Sequence, residues 1–141
     1  MGRYVSQPLT IKCTTIDEVR RFLIGCEYVS DKELFGKDDY WQPPEEFEKR
    51  KKGDCEDFAL WTWRQLLNMG YDARFIGGSC GRFGEGHAWV EYFQDGKCFS
   101  AGTFVSKNWE HYSPVVNAQV HSQTLRFLGW QSVEILLPQK T

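Results

Sequence analysis

No stretch of this 141-residue chain approaches the roughly 20 consecutive apolar residues that a membrane span requires. The opening MGRYVSQPLT lacks the apolar centre of a secretory leader, so the expectation is a cytoplasmic chain with no membrane partner. Basic charge is not in excess: 17 Lys and Arg stand against 19 Asp and Glu, a net charge of −2. That balance argues against binding driven by a phosphate backbone, and no nucleic-acid partner is expected. The five cysteines (Cys13, Cys26, Cys55, Cys80 and Cys98) are odd in number and no two have CxxC spacing. The three histidines, His87, His111 and His121, do not cluster with them. A zinc site and a complete disulfide framework are both excluded on that ground, leaving reduced thiols as the expectation. Internal repeats and low-complexity linkers are also missing.

What is present is apolar and aromatic. Hydrophobic residues make up 41% and aromatic residues 16% of the chain, enough for one core and too much for disorder. A single domain over residues 1–141 follows. Thr15-Ile16-Asp17-Glu18 has capping-box spacing, and Val19, Phe22 and Leu23 follow as a helical stripe that stops near Gly25. Residues 28–44 read as a loop, followed by a short charged helix over 45–52 with Pro44 in its first turn. Gly53 breaks that helix. Asp54 can cap a longer one that carries Glu56 and Asp57 in its first turn and Ala59, Trp63 and Leu66 along its stripe, with Gly70 as its stop. Residues 71–76 alternate as a strand and run into a glycine-rich loop at 77–86. Strand-like residues 87–93 and 98–104 flank Gln94-Asp95-Gly96-Lys97, whose Asp-Gly centre is a hairpin signal. Two further strands are expected at 125–130 and 132–137. Helices first and an antiparallel sheet after them make the fold class α+β.

Two residues carry the chemistry. Cys55 falls in the first turn of the long helix, where free N–H groups and the dipole favour a thiolate. Asp54, Glu56 and Asp57 oppose that effect, so a nearby imidazole has to supply the rest. The competing reading is a packed cysteine at a helix start. His87 is expected to open a strand directly after Gly84-Glu85-Gly86, a rigid position for a base. Trp61, Trp63 and Trp89 read as core, Trp41 as packed or lining the cleft, and Cys80 as a weaker rival nucleophile with no helix start or base beside it.

The flanks of these residues resemble a known family. Gly53-Asp54-Cys55-Glu56-Asp57-Phe58-Ala59 with residues 67–74, and Gly86-His87-Ala88-Trp89-Val90-Glu91, look like the nucleophile helix and histidine strand of transglutaminase-like proteins. Upstream, Asp39-Tyr40-Trp41-Gln42-Pro43-Pro44-Glu45-Glu46-Phe47 narrows the likeness to the bacterial transglutaminase-like cysteine proteinases. The resemblance covers roughly residues 38–103. It implies a papain/transglutaminase-like core, with the nucleophile helix packed on an antiparallel sheet. It also implies a Cys55 nucleophile, a His87 base and a peptide or protein substrate, with acyl transfer to water or to an amine at a peptide or glutamine-type amide. The alternative is a binding module that keeps the fold with weak or no catalysis.

The family's third catalytic residue is an Asp on the strand after the histidine strand. With a two-residue turn at Asp95-Gly96, the matching stretch is Ser100-Ala101-Gly102-Thr103, which holds no acid. Ser100 is then the side chain there able to orient the His87 ring; a backbone carbonyl, a water or Asn108 can also serve. Some relatives bind calcium through carboxylates flanking the nucleophile, and Asp54, Glu56 and Asp57 match those positions. Helix capping explains the same acids without a metal, so the expectation is no required cofactor, with calcium as an option.

Overall fold

The computed structural model describes residues 8–37, 40–80, 85–105, 112–118 and 130–135. The element order is α1 (Ile16–Ile24), β1 (Glu27–Tyr28), α2 (Asp31–Phe35), α3 (Pro44–Arg50), β2 (Lys52–Gly53), α4 (Cys55–Asn68), then β3 (Asp72–Cys80), β4 (Glu85–Gln94), β5 (Lys97–Val105), β6 (Tyr112–Ala118) and β7 (Trp130–Ile135). The fold is α+β, as its sequence order implies.

Helix α1 starts where Thr15 accepts the Glu18 N–H at 3.1 Å. It buries Val19 and Leu23, and Phe22 stacks on Trp61 with ring centres 4.1 Å apart. Helix α4 is the centre of the molecule and is buried on nearly every side, its polar Asp57, Thr62, Arg64 and Gln65 included. Towards the sheet, the Trp63 indole donates to the Ala73 carbonyl at 3.1 Å. On its other flank, the Trp61 indole donates to Glu48 of α3 at 3.0 Å. Residues 9–13 are tied to these helices by side chains. Glu48 also accepts from Thr10 N at 2.9 Å and Ile11 N at 3.2 Å, while Gln65 of α4 bonds Ile11 O and Cys13 N. Buried polar groups thus find partners in one another, as burial demands.

The five-stranded antiparallel sheet has the order β6-β5-β4-β3-β7. Asp95 and Gly96 both have positive φ (53° and 75°), the signature of a two-residue hairpin turn whose twist matches its strands. That turn fixes the register, and Gln94 pairs with Lys97, Glu91 with Ser100 and Trp89 with Gly102, as expected. Ala88, Val90 and Tyr92 pack into the same core as α4. Trp61, Trp63 and Trp89 are all buried, the first two in the cluster around α4.

Several expectations change. Residues 28–44 are not all loop: Ser30 caps α2 by accepting the Glu33 N–H, and Gly36 ends it at φ 68°. β1 and β2 form a small parallel pair that sequence patterning did not show, being only two residues each. The glycine-rich stretch is not a loop at its start. Gly77, Gly78, Ser79 and Cys80 continue β3, because pairing with β4 on one side and β7 on the other satisfies their backbone despite the missing side chains. β4 starts at Glu85, so His87 is its third residue and does not open it. β6 was not foreseen. The strand expected at 132–137 is β7, which begins at Trp130; the one at 125–130 lies outside the described residues apart from Trp130 itself.

Candidate active site

Cys55 is the first residue of α4, so its backbone N–H has no acceptor within the helix. The side chain is almost covered, at 9% exposure. Its thiol donates to the Glu56 carboxylate at 3.3 Å and is also bonded to the Ala88 backbone of β4. Burial pushes the thiol well above its ordinary range, and the charges of Glu56 and Asp54 push it further; the Ala88 bond acts in the opposite direction. Burial and the two neighbouring acids thus favour the neutral thiol over the thiolate.

The start of α4 is held by one buried carboxylate. Asp57 accepts the Gln42 N–H at 2.8 Å, the Gln42 side-chain amide at 3.0 Å and the Asp54 N–H at 3.0 Å. Gln42 is itself fully buried, donates to Lys52 O at 2.8 Å and accepts from Arg50. Gly53 has no Cβ because none would fit: one built there would lie 2.5 Å from Asp57 Oδ2 and 2.8 Å from Gln42 Nε2. The Gly-Asp-Cys-Glu-Asp run and the upstream Trp41-Gln42-Pro43 segment are thus one structural unit that aims Cys55. Neighbouring Trp41 is half-buried against Phe75 of β3, ring centres 5.7 Å apart.

Acidic side chains gather beside this unit. Acceptor oxygens of Asp31, Asp54 and Asp57 lie within 4.8 Å of one another. Asp31 also takes the Tyr40 N–H at 2.7 Å. One oxygen of Asp54 is buried without a hydrogen-bond partner among the described residues. Burial, followed by Glu56 and then the charges of Asp57 and Asp31, holds the Asp54 carboxyl far above its usual range. Asp57 is raised to about 6 because burial outweighs the hydrogen bonds it accepts. Three carboxylates crowded this closely, two of them buried and one half-buried, are a donor set suited to a hard divalent cation such as calcium. The sequence pointed to Asp54, Glu56 and Asp57. Asp54 and Asp57 do come together, but with Asp31, while Glu56 faces the Cys55 thiol and Asp54. Nothing in the sequence marks Asp31, since an acid in the first turn of a helix is already explained by the dipole.

The backbone of His87 pairs with Gly78 and immediately precedes Ala88, which touches Cys55. The imidazole lies outside the described side chains. Ser100 is fully buried opposite Glu91, and its hydroxyl has no hydrogen-bond partner among the described residues. Gly102 pairs with Trp89 and brings no acid there. Asn108, the other candidate orienting group, lies outside the described residues. Cys80, the rival thiol, ends β3 opposite Glu85 and Trp130.

A family model described as bacterial transglutaminase-like cysteine proteinase matches residues 11–94, well over half of the chain, from the tethered N-terminal segment to the first half of the β4–β5 hairpin. A search of curated protein sequences finds no match. Among solved structures the chain is similar to LapG of Legionella pneumophila, with a TM-score of 0.49 and 22% identity, covering 89% of this chain and 79% of that one. The calcium-bound and EGTA-treated forms of LapG each give a TM-score of 0.48 and 21% identity over 79% of this chain. The chain spans 66% and 64% of those two LapG chains, just under two thirds.

Proposed function

The chain belongs to the bacterial transglutaminase-like cysteine proteinase family, and from that premise we propose that it hydrolyses peptide bonds in a protein substrate through Cys55 and His87. The observation that carries this reading is the position of Cys55 as the first residue of α4, which packs on β4, with the sulfur beside the Ala88 backbone one residue from His87. In the proposed cycle His87 takes the Cys55 proton as the sulfur attacks the scissile carbonyl. The Cys55 N–H, unused by the helix, donates to the oxygen of the tetrahedral intermediate. Collapse breaks the C–N bond, and the imidazolium gives its proton to the leaving amine. Water, deprotonated by His87, then attacks the thioester, releasing the acid product and the thiol. An amine in place of that water would turn hydrolysis into transglutamination; the family description favours water.

Ser100 belongs to the proposal as the residue that orients His87, on the strength of its burial in β5 two pairs along from Gly102. Calcium is an optional partner, held by Asp31, Asp54 and Asp57, and when bound it supplies fixed positive charge at the start of α4. The location remains proposed as cytoplasmic, supported by the free thiols of Cys13, Cys26, Cys55 and Cys98; recovery of tagged chain in a periplasmic fraction would refute it.

The test is cleavage of unfolded casein by the purified chain, with and without calcium, followed by mass spectrometry. The expected result is cleavage abolished by Cys55→Ala and reduced at least a hundredfold by His87→Ala. A second reading, a fold-retaining module with weak catalysis, is favoured by the strongly raised Cys55 thiol and the acid-free β5 stretch. Absence of Cys55-dependent cleavage under every condition would select it.

A further inference from the structure

We propose that residues 49–52 form a cationic docking strip for an acidic segment of the polypeptide substrate, lying three to four residues from the bond that Cys55 attacks. This rests on the cysteine-proteinase reading above and adds the substrate class. Lys49, Arg50, Lys51 and Lys52 are consecutive and all exposed, in a chain whose overall charge is −2. Three of them have ordinary structural explanations. Arg50 bonds Gln42 and lies over the Phe35 ring. Lys52 stands 3.8 Å from Glu27, both side chains being half exposed or more. Lys49 sits in the last turn of α3, where positive charge complements the helix dipole.

Lys51 has a weaker tie, its charge acting on the Cys26 thiol. It follows α3 in the left-handed region, at φ 58° and ψ 28°. Glycine is favoured there, and glycine does occupy the matching positions after α2 (Gly36) and α4 (Gly70). A lysine at 51 places a long cationic side chain where the backbone prefers none. Lys49 and Lys51 make no hydrogen bond or ion pair through their side chains among the described residues.

The strip lies just ahead of the nucleophile in the chain: Lys51 follows α3, Lys52 opens β2, and Asp54 and Cys55 come next. At about 3.3 Å per extended residue, Lys52 lies roughly 10 Å along the chain from Cys55. An extended substrate rises at the same rate, so that distance matches three to four of its residues. Beside the sulfur the sign reverses, because the Glu56 carboxylate faces the thiol. Acid next to the scissile bond is therefore disfavoured and acid three or four residues away is favoured.

The test is cleavage-site profiling on a proteome-derived peptide library at low and high salt. The expected result is a three- to tenfold enrichment of Asp and Glu three or four residues from the cleaved bond at about 20 mM salt. It should disappear near 1 M, where screening acts within about 3 Å. Lys49→Glu combined with Lys51→Glu should abolish or invert the enrichment. Lys12→Glu, an exposed charge change on the N-terminal segment, should retain it. Cys55-dependent cleavage with no acidic preference, or a preference unchanged in the double variant, would overturn the strip and leave the proteinase reading intact. No Cys55-dependent cleavage at all would overturn both.

Discussion

Replacing Gly53 with alanine should unfold the site from beneath the nucleophile. The added Cβ would stand 2.5 Å from Asp57 Oδ2, 2.7 Å from Asp57 Cβ and 2.8 Å from Gln42 Nε2, and the two terminal atoms are pinned by hydrogen bonds. Relief requires Asp57 to move, and Asp57 holds three hydrogen bonds at 2.8–3.0 Å. Overpacking costs about 1–3 kcal/mol, and weakening a hydrogen bond to a buried charged group about 1.5 kcal/mol more. A loss of about 3 kcal/mol is the expectation, or a fall in Tm of roughly 10 °C for a domain of this size. Gly36→Ala provides the contrast. Nothing lies within 4 Å of its Cβ position, so the cost is only that of a left-handed alanine, at φ 68°, about 1 kcal/mol. Urea denaturation of both variants, read by tryptophan fluorescence, measures the difference. Equal losses at 53 and 36, or a Gly53→Ala loss under 0.5 kcal/mol, would refute the close approach of Asp57 as the reason for the glycine.

Glu48→Ala removes the acceptor for Thr10 N, Ile11 N and the Trp61 indole together. It should cost about 3 kcal/mol and expose the amides of residues 10 and 11 to hydrogen exchange; protected amides would count against the tether. Burial and the neighbouring acids raise the Asp54 carboxyl in the folded chain, whereas in the unfolded chain it ionises near its ordinary 3.8. The stability this group contributes is complete below about pH 4 and is lost as the pH rises towards the folded value. Asp54→Asn should therefore flatten the decline between pH 5 and pH 8 in urea denaturation, and calcium should narrow the same gap in the parent chain. Gly102→Asp, placed opposite Trp89 on β5, should raise the rate of Cys55 alkylation at pH 7 by about tenfold if an orienting acid is what His87 lacks; an unchanged rate in a folded variant would argue otherwise.

Local chemistry was legible in the sequence. Thr15, Asp54 and the Asp95-Gly96 turn act on their immediate neighbours, so α1, α4 and the β4–β5 register could be read directly. Cys55 at the head of α4 was legible for the same reason. What escaped depends on distant partners. Gly77 and Gly78 look like a loop until two neighbouring strands claim their backbone groups. Asp31 joins Asp54 and Asp57 only because α2 folds back across the start of α4, a packing that no local pattern announces. Gln42 was quoted as part of a motif without a role. Its role appears only when Asp57, fifteen residues on, is seen to accept both its backbone N–H and its side-chain amide.

The pairing of Cys55 with His87 is tested most directly by mapped alkylation with a peptidyl chloromethyl ketone at pH 7, comparing the parent chain with His87→Ala. The expected result is label on Cys55 alone in the parent chain and a rate at least a hundredfold lower in the variant, since the raised thiol cannot ionise unaided. Equal rates in the two proteins, or label carried chiefly by Cys80, would contradict it.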